Sequence, residues 1–403
     1  MIGRFAAPTV VRATAIILIA AALAWVSLAL TLSLSNARRN PALASKMWSG
    51  NSLAEAALAE QTISEATTAT SRVVARGHAV SSLMNQPGNP VAARVMGVTA
   101  GLDGNLKGMA QWFSYSDRYS RRDLPAQLGL IELAVRRGQI NETLVHYDRA
   151  LRVFAPQPGL VDVLVAATNA PDVRQALVPV VRRNPPWRQS YLIQLVESGQ
   201  ASPATIYMTL RSSHLDPRQA LDRRILGEAT ALLVGQGKVA LARALTGITG
   251  SGVRNGQFEQ ANLYPPLDWK LTDSTDLSGV VEQGVQEKNG NALFVESHND
   301  ASGIVAEEVL SLPPGRHILS LKSGDGTGTT AEAPMVTISC AGRSDIIASL
   351  PLPVAKDAVR AFRMPFAVPA NCPAQRLAIV ATPSSGLDTV RPWIDDVTVT
   401  RLP

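Results

Sequence analysis

The chain has 403 residues, of which 46% are hydrophobic and 17% charged, with only two cysteines. That balance excludes a disordered chain and a disulfide-stapled mini-domain, and the length exceeds one ordinary core of about 100–150 residues. The net charge of +6 is unevenly divided: residues 1–52 carry +5 with no acid, 53–250 carry +6 and 251–403 carry −5. No basic face interleaved with aromatics emerges, so nucleic acid is not an expected partner. A basic module near anionic headgroups or an acidic polymer, or plain solvated Arg-rich helix faces, accounts for the division.

From Ala13 to Ser35 the chain runs 23 residues without a charge, enough to cross a bilayer as a helix at about 1.5 Å per residue. A secretory signal has a shorter apolar core with its small-residue cleavage site close behind. The one such site, Ala42-Leu43-Ala44, lies beyond Arg38 and Arg39. The expected reading is an uncleaved anchor, a cleaved signal being the alternative. Residues 1–36 are then a cytoplasmic tail and transmembrane helix, and 37–51 a linker. Basic residues flank the run on both sides, so the positive-inside rule leaves orientation nearly tied.

Residues 52–250 read as a series of short helices. Ser52-Leu-Ala-Glu55 and Asp172-Val-Arg-Gln175 match the capping box, and Ser202-Pro203 and Asp216-Pro217 place a capping residue before a proline suited to the first helical position. At an offset of 34, Ala100, Gly104, Phe113 and Ser116 align with Ala134, Gly138, Tyr147 and Ala150. The segment Leu130 to Pro156 resembles a tetratricopeptide repeat, which implies paired antiparallel helices with Gly138 at their turn and the aromatic against the neighbouring pair. About two repeats fit well, and the period is lost from Gln157. The resemblance places Arg94 and Glu132 on first helices, where such arrays contact protein partners; a plain solvated face is the alternative. His78, His146 and His214 stand apart from other ligand types and read as surface or core histidines.

After Gly250 the text changes to short alternating or β-branched runs (ALFVES, HILSLKS, MVTISC, RLAIVAT, WIDDVTVT) separated by Gly, Pro, Asn and Asp, the spacing of an all-β sandwich. Residues 251–403 are expected to form it, giving a multidomain α plus β chain: transmembrane helix, tetratricopeptide-like array, antiparallel jelly-roll sandwich. Cys340 and Cys372 both fall in this part; with no further ligands nearby, a disulfide in an oxidising compartment is the simpler pairing, against two unrelated thiols. The opening NGQFE and closing WIDDVTVT resemble the ends of jelly-roll carbohydrate-binding modules and their galactose-binding-like relatives. In that family the two ends meet, in many members at a structural calcium. The resemblance implies Glu259 and Asp396 as oxygen ligands, with strand-end hydrogen bonding as the alternative, and calcium as the one cofactor to consider. Sugar recognition requires exposed rings, and Tyr264, Trp269 and Trp393 are the candidates, each otherwise a core residue.

No nucleophile elbow, histidine triad or metal pair is legible. The combined layout resembles bacterial envelope proteins with repeat arrays that accompany exopolysaccharide assembly. It implies a non-enzymatic scaffold in the inner membrane, soluble parts in the periplasm or outside the cell, a protein partner on the repeats and a polysaccharide on the sandwich. A carbohydrate-active enzyme and a purely structural sandwich are the alternatives.

Overall fold

The computed structural model describes residues 7–153, 158–283, 290–326, 333–343, 345–383 and 391–403. It contains helices up to Thr246 and strands from Lys270 onward, so the change of pattern near residue 250 is a change of fold class. By contact density the chain forms two compact units, residues 1–161 with 175–187, and residues 162–174 with 188–403.

In the first unit, α1 (Ala7–Asn36) is the long apolar helix, and its stretch from Val11 to Asn36 is long and apolar enough to cross a membrane. Residues 37–51, expected as a linker, instead contain a short helix, α2 (Pro41–Met47), started by Asn40 and Pro41. The helix α3 (Ser52–Glu65) follows. A buried polar joint ties the three together: the Ser33 hydroxyl donates to the Ala44 carbonyl at 2.7 Å, and the Asn51 amide donates to Ser33 at 2.7 Å. The Asn51 carbonyl oxygen also caps α3 by accepting from the Leu53 and Ala54 N–H groups. Ala37, Ala44 and Ala54 pack beside this joint, their small side chains allowing the close approach. The cap lies one residue before the expected Ser52, because the Ser52 hydroxyl is engaged with Ser82 and Asn89.

From α3 the chain forms antiparallel helix hairpins: α3 with α4 (Ala69–Asn85), α5 (Pro90–Leu102) with α6 (Leu106–Tyr119), and α7 (Leu124–Arg136) with α8 (Ile140–Val153). Both bounds of α7 lie 34 residues after those of α5, and both bounds of α8 lie 34 after those of α6. Gly104 and Gly138 occupy equivalent turns in the left-handed region, at φ +75° and +68°, which an L side chain adopts only with strain. Phe113 and Tyr147 are both buried, as are Ser116 and Ala150. Phe113 lies against Gly97 of its own hairpin and Gly129 of the next, so one aromatic bridges successive hairpins.

The helices α9 (Pro158–Ala167) and α10 (Pro171–Arg182) each run across the division between units. The second unit holds α11 (Arg188–Glu197), α12 (Pro203–Ser212), α13 (Ala220–Gly235), α14 (Val239–Thr246) and the sandwich. Ser202 caps α12 ahead of Pro203, its hydroxyl accepting from Thr205 N–H. Asp216-Pro217 does not start α13; Asp216 accepts from Arg218 N–H in a turn, and the helix begins at Ala220. Arg188 and Asp222, both nearly buried, form a bidentate pair at 2.9 and 3.2 Å between α11 and α13.

The strands form two five-stranded antiparallel sheets. One has the order β1 (Lys270–Leu271), β4 (Gly303–Leu310), β9 (Gln375–Ala381), β6 (Met335–Cys340), β7 (Ile346–Pro351); the other has β2 (Leu277–Gln283), β3 (Asn291–Ser297), β10 (Trp393–Arg401), β5 (Gly315–Gly324), β8 (Val359–Val368). From β4 onward the chain passes repeatedly from one sheet to the other, the jelly-roll manner of closing a sandwich. The core lies between the sheets and includes Phe258, Trp269, Leu293, Leu319, Ile338, Leu377 and Ile394. A separate cluster joins the helices to the sandwich: Leu233, Val239 and Ala242 pack with Leu267, Val309 and Ala374. Alternation along β4 explains this, since Leu310 faces the sandwich core while Val309 faces α13 and α14.

Candidate functional site

The two ends of the sandwich meet as the resemblance implies. Asn255 turns the chain at φ +49°, its side chain both accepting from the Gln260 N–H and donating to the Gln260 carbonyl. Gly256 then lies against β10: Val397 N–H donates to its carbonyl at 2.9 Å, and a Cβ on Gly256 would come within 1.9 Å of the Val397 oxygen. Only glycine fits there. Phe258 enters the core against Trp269, ring centroids 5.3 Å apart.

The carboxylates at this meeting are engaged with protein groups. Glu259 accepts from the Asn291 N–H at 2.8 Å. Asp396 accepts from the Gln257 amide at 3.2 Å and pairs with the Lys322 ammonium at 2.8 Å. A tethered ammonium thus already balances Asp396, and no cluster of three or more His, Cys, Asp or Glu side chains suited to a metal occurs among the described residues. Calcium requires several converging oxygens, so the geometry matches strand-end hydrogen bonding better than an ion. A β-bulge interrupts β10 between Asp395 and Thr398, with Asp396 at φ +53°.

The aromatic residues proposed for sugar stacking are all in the interior. Trp269 is 1% exposed, Trp393 7% and Tyr264 8%, so none offers a ring face, and the stacking assignment is corrected to core packing. Sequence patterning gave no means of telling a large core ring from a surface one. In the sandwich, Phe294 is the one described aromatic that is half-buried rather than buried; the Arg391 guanidinium covers it at 4.7 Å and pairs with Glu282 and Glu296.

Cys340 and Cys372 form a disulfide, their Cα atoms 5.5 Å apart, at the end of β6 and in the loop before β9. Beside it, Gln375 is fully buried, donating to the Cys372 carbonyl and accepting from the Leu312 N–H. A second buried polar group lies on β4. Glu308 is 1% exposed; one carboxylate oxygen accepts from the Arg254 N–H at 2.8 Å and the other has no hydrogen-bond partner. Burial pushes its pKa well above the usual carboxylate range, more than the Arg254 N–H lowers it. The Arg254 guanidinium pairs with Asp268, 3.1 Å away, which also accepts from the Leu263 and Tyr264 N–H groups.

On the helical hairpins, Arg94 is not available to a partner. Its guanidinium lies 2.9 Å from Glu60 on α3 and 3.0 Å from Asp123, the cap of α7, so it ties three hairpins and is corrected to a structural residue. Glu132 is exposed and pairs with Arg136 one turn on, the arrangement of a solvated face. His146 is a satisfied core histidine, 2.8 Å from the Gln127 side chain, and burial lowers its pKa.

The surface feature not anticipated is on α6. Trp112, Tyr115 and Tyr119 follow one another at i, i+3 and i+7, with centroids 5.9 and 5.1 Å apart, while Phe113 and Ser116 face the core. Tyr119 is 53% exposed, and Tyr115 donates to the Pro87 carbonyl at 3.0 Å, fixing the row beside the α4–α5 connection. Exposed Lys107, Arg118, Arg121 and Arg122 accompany it in sequence. The spacing WFSYSDRY carried this signal, because two faces of one helix are both aromatic there.

No family model matches the chain, and no curated protein does. Among solved structures, a CBM4 module is 14% identical with a TM-score of 0.28, covering 37% of this chain and 99% of that one. A xylan-binding domain from CBM 22 is 14% identical with a TM-score of 0.23, covering 33% of this chain and 86% of that one. The enzymatically active domain of tailspike protein 4 from bacteriophage CBA120 is 13% identical with a TM-score of 0.29, covering 37% of this chain but 21% of that one. At such identities and scores, nothing about ligand or activity follows from these likenesses.

Proposed function

We propose that the chain is a non-enzymatic scaffold of the cell envelope, held in the inner membrane by α1, with tetratricopeptide-like hairpins that bind a protein partner. The observation that carries this reading is the row Trp112, Tyr115 and Tyr119, in which Tyr119 is exposed and Trp112 and Tyr115 are half-buried, an aromatic strip of the kind that dominates protein interfaces. The basic residues beside it in sequence favour a partner segment that is apolar and acidic. The disulfide supports placing the sandwich outside the cytoplasm. The sandwich serves chiefly as a rigid body joined to α13 and α14.

Photo-crosslinking the full chain in native membranes, followed by affinity capture, tests the assignment. Replacing Trp112 and Tyr119 together by Ala should reduce recovery of the specific partner about tenfold or more, as expected when interface anchors are removed. Undiminished recovery from a folded variant would overturn it. A second reading, a glycan on the sandwich, is favoured by the half-buried Phe294 beside the surface cluster of Arg391 with its partners Glu282 and Glu296. Retention of a polysaccharide by the wild-type chain and its loss in Arg391→Ala would support that; no retention at all would remove it.

A further inference from the structure

We infer that the base of α1 carries a groove for one anionic phospholipid of the surrounding bilayer, an inference that rests on the anchor reading. A cavity of about 300 Å³ opens there, at the lower end of the range for small-molecule sites. Leu30 and Leu34 of α1 form one wall, Trp48 and Leu53 contribute further apolar surface, and Asn85 and Gln86 add amide groups. Three of the lining residues, Leu30, Ser33 and Leu34, belong to the spanning helix itself, so the groove opens where that helix leaves the hydrocarbon. Trp48 is the residue type that settles at this depth, its ring apolar and its indole N–H a donor. An occupant with an acyl chain on one side and ester and phosphate oxygens on the other matches this division between leucine and amide surfaces.

Charge selects the headgroup. Arg38, Arg39 and Lys46 are exposed in the turn and short helix between the span and Trp48, and the first 52 residues contain no carboxylate. Basic residues at a membrane surface favour anionic lipid by roughly fivefold each. The joint of Ser33, Ala44 and Asn51 contributes Ser33 and Asn51 to the lining itself, so the groove's walls are held in place before a lipid arrives.

The test uses the full chain in nanodiscs with a phosphatidylglycerol carrying a diazirine near the ester end of one acyl chain, and the same label on phosphatidylcholine. Crosslinks should map to residues 48–53 and 85–86 and be at least several-fold stronger with phosphatidylglycerol. Leu53→Trp, at an exposed position facing the groove, should reduce those crosslinks at least fivefold without lowering the melting temperature. Arg39→Glu with Lys46→Glu should abolish the headgroup preference. Labelling confined to residues 11–28, or equal labelling by both lipids, overturns the groove while leaving the anchor intact. Release of the chain from membranes at alkaline pH overturns the anchor reading instead.

Discussion

Glu308→Gln tests how the sandwich holds a buried acid. In the wild type the carboxyl is 1% exposed, with one oxygen bonded to the Arg254 N–H and the other unpartnered, and the nearby guanidinium is engaged by Asp268. Burial raises its folded pKa well above the ordinary carboxyl value. The folded state therefore holds the proton more tightly than the unfolded chain. The stability this contributes is complete below about pH 4.3 and is lost as pH rises toward the folded pKa. The loss amounts to about 1.4 kcal/mol for each pH unit in that window. Glutamine has the same shape, keeps an oxygen for Arg254 and never ionises. The variant should match wild type to within about 1 kcal/mol at pH 4.5 and exceed it progressively as pH rises, with a pH slope smaller by one proton. Hydrogen exchange of β4 peptides across a urea series, at several pH values, isolates the opening free energy of the sandwich. An unchanged slope would refute the assignment of Glu308 as a buried neutral acid.

Asp222→Ala should destabilise the second unit by about 3–5 kcal/mol, because it strands the nearly buried Arg188 guanidinium; thermal melting of the full chain measures it, and Asp222→Asn should recover part of the loss. Reducing the Cys340–Cys372 bridge, whose cysteines are 32 residues apart, should cost about 3–4 kcal/mol by loop-closure entropy, read as a lowered urea midpoint for β6 and β9 peptides. Ala150→Trp should overpack α8, where Ala150 is 1% exposed, at about 1–3 kcal/mol; unchanged stability would contradict the position of Ala150 in the hairpin contact.

Much of the fold was legible because its signals are local. The strands β3, β4, β5, β6, β8, β9 and β10 coincide with β-rich runs in the sequence, and the 34-residue offset reappears in the bounds of α5 to α8. The unread strands have physical reasons. β2 contains Gly279, which lies under the Val305 carbonyl and breaks the alternation, and β7 is an edge strand with a mixed burial pattern. Site residues were less legible because their roles depend on what the fold brings opposite them. Glu60 and Asp123 converge on Arg94 from two other helices, and Lys322 reaches Asp396 from β5. Ring burial at Tyr264, Trp269 and Trp393 is likewise set by the closing of two sheets rather than by neighbours in sequence.

If the proposed function holds, with α1 as a membrane anchor and the hairpins as a partner-binding scaffold, the joint between α1 and α3 bears on how that partner would be found. Fifteen residues of free coil between a span and a scaffold would let the scaffold wander by about 20 Å in every direction. Here residues 37–51 are folded back and pinned through Ser33 and Asn51. A binding surface fixed to a membrane helix in this way searches almost two dimensions, at nearly constant height and orientation, so its effective concentration toward a membrane-bound partner is set by lateral diffusion and not by tether length. Partners whose docking segments lie at another height gain nothing from co-residence in the membrane. Inserting a few glycines after Arg39 would therefore relax discrimination between partners before it weakened binding to any one of them.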